Sequence, residues 1–390
     1  MPIVVMQLDR RDEIITDDST DTWRIVVAAS QGTGTADENR IRALLDAFNA
    51  EFMPFDRAQK KKGFLDCFHR LRAGNFDLFV FEGTGFAVGI AAILGRLLYG
   101  RPYVFSSGDA VAPYLSARFP LAQPFFEIYE RVLYRCCSGF IGWTPYLVGR
   151  ALTLGARKAI TAAGWAPYAA DKEAIRVARV EIRNQFGIPQ DAVVFGLIGS
   201  LFWSSRYQYC YGAELIRAAS RAKSAPYVLI VGDGSGLPHL KALAGEALGK
   251  TIFLPGRVAR SDVPRYLAAM DLGSLPQSVD GVGSFRYTTK LSEYRQVGLC
   301  FMSNEIPMAY DLDQGDIWRL PGTSPWSESF LNAAARLMDE TTIDQIQARK
   351  QAQMVSNEFD RVRQVQRVTA FIKDMLNAER RSFKQTKSMS

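Results

Sequence analysis

Histidine is almost missing from this chain: His69 and His239 are the only two in 390 residues. A zinc site or a histidine-based triad has too few side chains here to be built. Cysteine is scarce too. Cys67, Cys136, Cys137, Cys210 and Cys300 form an odd set without a Cys-x-x-Cys pair, which excludes a disulfide framework. They read as reduced, partly buried thiols of a cytoplasmic protein. No apolar run reaches the ~18 residues of a membrane span. The longest, 86–98, is broken by Gly89, Gly95 and Arg96. The start is no signal peptide, because it lacks a long apolar core. Residues 1–21 instead carry Asp9, Asp12, Glu13, Asp17, Asp18 and Asp21 against Arg10 and Arg11, and are expected to be a disordered acidic leader. Over the whole chain acids are the minority, 40 against 47 Lys and Arg, a net charge of +7. That excess suits an anionic partner, whether nucleic acid, a membrane surface or a phosphorylated substrate. No nucleic-acid motif accompanies it.

What is present is enough apolar material for sizeable cores, 48% of residues, in a length that suggests two or three domains. Strand-like and helix-like segments alternate. Strands are expected at 24–29, 51–55, 77–81, 102–105, 139–142 and 160–163, with helices from Ala36 and over 59–73, 86–98 and 144–154. The plan then repeats, with strands at 193–198, 227–231, 251–254, 272–275 and 299–303 between helices at 212–223, 238–248, 261–270 and 288–297. Such βα units predict an α/β fold with mostly parallel sheets covered by helices. After Asp316 the chain reads as mainly helical. The first loop contains Gly32 and Gly34, but Asp37 stands where a GxGxxG fingerprint needs its third glycine. A loop at the carboxyl end of a strand is still where α/β sheets bind ligands, so Gly32 is a candidate contact for a sugar.

Residues 279–304, VDGVGSFRYTTKLSEYRQVGLCFMSN, organise the rest. A loop with Gly281 and Gly283 feeds a helix whose Leu291, Tyr294 and Val297 share one side. Thr288 or Thr289 is placed to cap it and Gly298 to end it. A glycine loop before a helix start favours anions, and Arg286 and Lys290 add positive charge. Glu293, one turn beyond Thr289, suits the hydroxyls of a sugar diol. The stretch therefore reads as a grip for a nucleoside diphosphate, or as an ordinary capped surface helix.

Five motifs in register carry a resemblance. They are Gly199 with a basic residue seven beyond it (Arg206), VLIVGDG at 228–234, IFLPGRV at 252–258, YLAAMDLGSLP at 266–276 and TTKLSEYRQVG at 288–298. Together the second half resembles the retaining glycosyltransferases of family 4. The resemblance implies the GT-B fold: two facing Rossmann-like domains with parallel sheets and a C-terminal helix crossing back to the N-terminal domain. It divides the chain into an N-terminal acceptor domain (22–168), a nucleotide-sugar domain (169–358), the returning helix (359–377) and a basic, disordered tail (378–390). It implies that Arg206 and Lys290 hold the donor diphosphate. Gly199, Ser200, Ser284, Thr288 and Thr289 would lie against the donor, Arg257 and Val258 would meet the base, and Glu293 the ribose.

Three departures stand out. The family's acidic pair is eight residues apart, whereas Phe285 stands eight before Glu293 and Asp280 is the nearest upstream acid. Asp280 is thus a candidate sugar contact or a turn residue. Ser200 replaces the usual basic residue after the first glycine. Gly108 and Asp109 stand where many members carry histidine, which leaves Asp109 as a catalytic candidate or a helix N-cap.

The implied reaction transfers a sugar from a nucleoside diphosphate sugar, a co-substrate, to a glycan or lipid-linked acceptor. No cofactor is expected, and no Asp-x-Asp metal motif accompanies the site. The open alternatives are a nucleotide- or glycan-binding scaffold without turnover, and another nucleotide-sugar enzyme such as an epimerase. Residues 114–158 mix aromatics with Arg118, Arg131, Arg135, Arg150, Arg157 and Lys158. They read either as a peripheral surface for an anionic membrane, on the inner face of the cytoplasmic membrane, or as a buried amphipathic helix with a wet arginine face.

Overall fold

The computed structural model describes residues 23–168, 171–352 and 359–388. The acidic leader lies outside the described residues. The first βα series runs β1 (Ile25–Ala29), α1 (Ala36–Leu44), β2 (Ala50–Met53), α2 (Lys60–Ala73), β3 (Leu78–Glu82), α3 (Phe86–Tyr99), β4 (Tyr103–Ser107), α4 (Val111–Ser116), α5 (Gln123–Cys136), β5 (Gly139–Gly142), α6 (Pro145–Thr153) and β6 (Ala159–Thr161). Its six strands form one parallel sheet in the order β2-β1-β3-β4-β5-β6. β1, β3, β4 and β5 are buried along their whole length. That is why they read as mainly apolar runs rather than alternating ones, with buried polar residues only at the carboxyl ends of β3 (Glu82) and β4 (Ser106, Ser107).

The second series runs α7 (Lys172–Phe186), β7 (Val194–Ile198), α8 (Ala213–Ala219), β8 (Tyr227–Val231), α9 (Leu237–Ala244), β9 (Ile252–Gly256), α10 (Val263–Ala268), β10 (Leu272–Leu275), α11 (Lys290–Gln296), β11 (Cys300–Asn304), α12 (Met308–Asp311), β12 (Ile317–Leu320), α13 (Glu328–Glu340) and α14 (Ile343–Ala352), and the chain closes with α15 (Arg361–Ser388). Its sheet is also six-stranded and parallel, in the order β12-β11-β10-β7-β8-β9. Both are doubly wound Rossmann-like sheets.

The chain divides into two compact units. The C-terminal unit gathers residues 165–284 and 288–352, and the N-terminal unit residues 23–164, Phe285–Tyr287 and the final helix. In the N-terminal unit α15 buries Val368, Ile372, Met375 and Leu376. Gln364 Oε1 accepts from Gly164 N at 2.8 Å, and Lys158 Nζ lies 2.5 Å from Asp374 Oδ2.

Three differences from the sequence reading have physical reasons. Residues 378–388 continue α15 instead of forming a loose tail, because 361–388 contains no Gly or Pro and is rich in helix formers; Met389 and Ser390 lie outside the described residues. β12, in a stretch read as helical, is a four-residue edge strand of mixed exposure, too short to show a period. α7 was not anticipated either. Asp171 caps it by accepting from Glu173 N at 2.7 Å, and its Arg183 is fully buried against Asp271 Oδ2 at 2.6 Å and the carbonyls of Ala269, Pro189, Gln190 and Ala192.

Candidate functional site

In the C-terminal sheet the chain leaves β7 for β8 on one side and returns to β10 on the other. The carboxyl ends of β7 and β10 therefore flank the switch point, where α/β sheets open a crevice. Gly199 follows β7 directly, and Lys290 opens the helix that follows β10. The two meet. A Cβ placed on Gly199 would come 2.8 Å from Lys290 Cε and 3.0 Å from Nζ. The bare glycine lets the lysine lie across it, and Tyr211 backs the ammonium with its ring centroid 4.8 Å from Nζ.

Backbone hydrogen bonds hold the glycine loop, and Ser235 Oγ adds one by accepting from Trp203 N at 3.1 Å. Gly199 N donates to Val231 O at 3.0 Å, Leu201 N to Asp233 O at 3.0 Å, and Gly236 N to Leu201 O at 2.7 Å. The approach is close enough that a Cβ on Gly232 (φ +150°) would sit 1.9 Å from Gly199 O. The GDGSG turn after β8 is thus the wall behind Gly199.

α11 is seven residues long, with Leu291 and Tyr294 fully buried. Gly298, at φ +69°, ends it. The expected threonine cap is corrected: Thr289 occupies the N-cap position in helical φ/ψ and makes no side-chain cap bond, because a capping hydroxyl needs extended backbone there. Thr288 is buried. Positive charge at this helix start therefore comes mainly from Lys290. Glu293 is half-buried, and no hydrogen bond to its carboxylate is found among the described residues. Burial holds its carboxyl above the ordinary range against the opposing charges of Lys290 and Arg260. A half-buried carboxylate of this kind beside a switch point is a candidate for a functional position.

A buried network that the sequence reading missed supports these groups. Glu214 of α8 is fully buried and accepts from Tyr209 Oη, Gly212 N and Ser274 Oγ, each at 2.8 Å. Tyr294 Oη donates to Ser274 O at 2.9 Å. Glu214 so joins the loop before α8 to strand β10, and Ser274 carries the link on to helix α11. Tyr168, also unanticipated, is buried, and its hydroxyl is pushed up by burial and by the charge of Glu293.

The remaining donor candidates are less tied. Ser200 and Arg257 are exposed and Val258 is half-buried. Arg206 is exposed on the turn between Ser204 and Tyr209, its guanidinium 5.2 Å from the Tyr207 ring centroid. Asp280 takes the turn role, its Oδ1 accepting from Val282 N and Gly283 N at 2.8 Å each, and Ser284 N donates to Asp280 O at 3.0 Å. Most aromatics of 202–211 pack among themselves and their neighbours, as in Trp203 on His239 and Tyr207 on Trp326.

In the N-terminal sheet the switch point lies between β1 and β3. Gly32 (φ +116°) is there, its carbonyl accepting from Thr35 Oγ1 at 2.7 Å. Beneath lies a buried cluster: Arg40 pairs with Glu82 at 2.9 Å and stacks 4.0 Å over Trp143, whose Nε1 donates to Glu82 at 3.1 Å. Burial pushes the Glu82 carboxyl up to about 7 despite Arg40. Asp109 does not cap α4, whose N-cap is Ala110; its Oδ1 accepts instead from Arg286 Nε at 2.9 Å. Arg286, expected to add charge beside Lys290, thus belongs to the N-terminal unit. Phe285 and Tyr287 flank it there, Phe285 stacked on Tyr146 with centroids 4.6 Å apart and Tyr287 tilted on Trp143 at 5.3 Å.

No protein-family model and no curated protein sequence matches this chain. Solved structures do. Anabaena HepE in complex with UDP aligns with a TM-score of 0.64 at 14% identity, over 90% of this chain and 100% of that one. Sucrose-phosphate synthase from Thermosynechococcus elongatus gives 0.58 at 13% identity, over 94% and 100%. A Listeria monocytogenes protein assigned as a UDP-N-acetylglucosamine 2-epimerase gives 0.54 at 14% identity, over 90% and 95%. The fold is GT-B. On a GT-B chain, Gly199 and Lys290 occupy the switch point of the C-terminal Rossmann-like sheet, with Glu293 one turn further along α11.

Proposed function

We propose that this chain is a glycosyltransferase that takes a sugar from a nucleoside diphosphate sugar and passes it to a glycan or lipid-linked acceptor with retained anomeric configuration. The observation that carries the reading is Lys290 lying over Gly199 at the β7/β10 switch point, with the carboxylate of Glu293 on the same helix. The hard step is departure of the diphosphate, as the electron pair of the breaking sugar–oxygen bond moves onto the β-phosphate. The Lys290 ammonium stabilises that charge, and the glycine backbone lets the phosphate approach. Glu293 accepts hydrogen bonds from the ribose hydroxyls. Asp109, oriented by Arg286, contacts the transferred sugar or the acceptor. Arg206 adds a second positive charge from the mobile end of a long side chain. The chemistry asks for no histidine and no metal. UDP is the first donor nucleotide to try, since HepE was solved with UDP and with UDP-glucose.

Calorimetric titration of UDP, GDP and ADP tests the site. Lys290→Ala is expected to weaken binding by about 10- to 100-fold, the worth of one charge-assisted hydrogen bond of ~1.5–3 kcal/mol. Unchanged affinity in Lys290→Ala rules the site out. The epimerase reading draws on the Listeria neighbour and predicts a new sugar epimer without acceptor. Diphosphate release that depends on an acceptor decides for transfer.

A further inference from the structure

The aromatic, basic stretch after β4 divides on folding. Phe126, Tyr129, Leu133 and Tyr134 of α5 turn inward and are buried, as are Phe140 and Trp143. Four other large apolar side chains within ten residues turn outward: Phe119 is 54% exposed, Leu121 102%, Phe125 54% and Ile128 65%. These values decide the point, since an apolar residue left on a surface by chance is usually single, whereas a cluster marks an interaction site. The cluster sits on a firm base. Pro120, between α4 and α5, and Pro124, in the first turn of α5, limit the backbone here. Phe125 packs on Phe126 and Phe86, with centroids 5.6 and 5.8 Å away. Glu130 is buried and bound to Arg150 at 2.5 Å, so its charge is not on this surface. Over 117–135 that leaves Arg118, Arg131 and Arg135 exposed against the single exposed acid Glu127, a local balance of three minus one, +2.

We propose that this face docks on an anionic lipid bilayer, with Leu121, Phe119 and Phe125 entering the headgroup–acyl boundary and the arginines pairing with anionic headgroups. Aromatic and aliphatic side chains flanked by arginine suit that boundary. A second copy of the chain fits less well, because a two-fold contact through this face would bring the same arginines together. The proposal goes beyond the donor reading and stands without it, since nucleotide binding is measured separately.

The test is flotation of the full chain with phosphatidylcholine vesicles, with and without phosphatidylglycerol. Wild type is expected to float with the anionic vesicles and to lose binding as salt rises. The double variant Leu121→Asp/Phe125→Asp is expected to bind at least about tenfold more weakly. Arg118→Glu should cost about fivefold or more, the worth of a surface cation at an anionic membrane. Both variants alter exposed side chains, and an unchanged melting temperature and UDP affinity show that they fold; Leu121→Ser replaces the double variant if its melting temperature falls. Absence of flotation, or equal flotation of the double variant, overturns the proposal. So does a concentration-dependent dimer in sedimentation that the double variant abolishes while vesicles bind neither protein; that result assigns the face to a second copy.

Discussion

Glu214 is fully buried, no cation pairs with it among the described residues, and three donors fill its carboxylate. Burial nevertheless holds it above its ordinary value of 4.5. A carboxyl more easily protonated in the folded chain stabilises the fold below its unfolded pKa, and that contribution is lost as pH rises through the folded pKa. Wild type should therefore lose melting temperature from about pH 4.5 upward in part through Glu214. Glu214→Gln keeps both acceptor bonds to Tyr209 and Gly212 on one oxygen and can donate to Ser274 from its amide. It is expected to melt at the wild-type temperature or above it at pH 8, with a flatter profile. Glu214→Ala orphans three buried donors and should cost about 3 kcal/mol or more, read by urea unfolding. An Ala variant as stable as wild type would remove Glu214 from the scaffold of the site.

The ends of β7 and β8 show how two glycines packed against one another serve different ends. At Gly199 the side chain in the way is the far end of Lys290, which can move. At Gly232 it is the carbonyl of Gly199, which cannot. Gly199→Ala should leave the melting temperature within a few degrees and weaken nucleotide binding by about tenfold, because it displaces the ammonium. Gly232→Ala should destabilise by about 2 kcal/mol or more through forced backbone movement and strained φ. Thermal melts and titration of the two variants separate the effects; equal loss of stability in both would contradict the assigned roles. α11 makes the complementary point. Its short span and the lack of a side-chain cap from Thr289 leave little helix dipole to use, so the proposed nucleotide site rests on Lys290 rather than on the helix start.

The N-terminal unit is completed by the far end of the chain. Gly139 of β5 packs so tightly on Phe371 and Met375 that a Cβ there would come 2.7 and 2.3 Å from them. With Val368, Ile372, Met375 and Leu376 buried, removing α15 takes away four packed apolar side chains and bares the surface they cover, at ~1.5–3 kcal/mol for each, about the whole stability of a typical domain. A chain ending at residue 358 should therefore lose protease resistance in its N-terminal half while nucleotide binding at the site proposed in the C-terminal unit is retained longer. Equal resistance of full-length and shortened chains to limited proteolysis would contradict this.

Local signals in the chain determined most of the α/β plan. The buried strands β1, β5, β7 and β8 are apolar runs, and glycines follow β3, β7 and β8, because a parallel strand covered on both faces has no polar side to show. Motifs in register singled out Gly199 and Lys290 separately; that the lysine lies over the glycine came only from the fold. Tertiary structure alone decided what depends on residues distant in sequence. It placed Arg286 against Asp109, 177 positions away. It set Glu214 beneath both β10 and α11, continued the C-terminal tail as helix on the N-terminal unit, and turned Phe126 inward but Phe125 out. Burial, desolvation and the choice of hydrogen-bond partner are properties of surroundings assembled from the whole chain, and no window of neighbouring residues contains them.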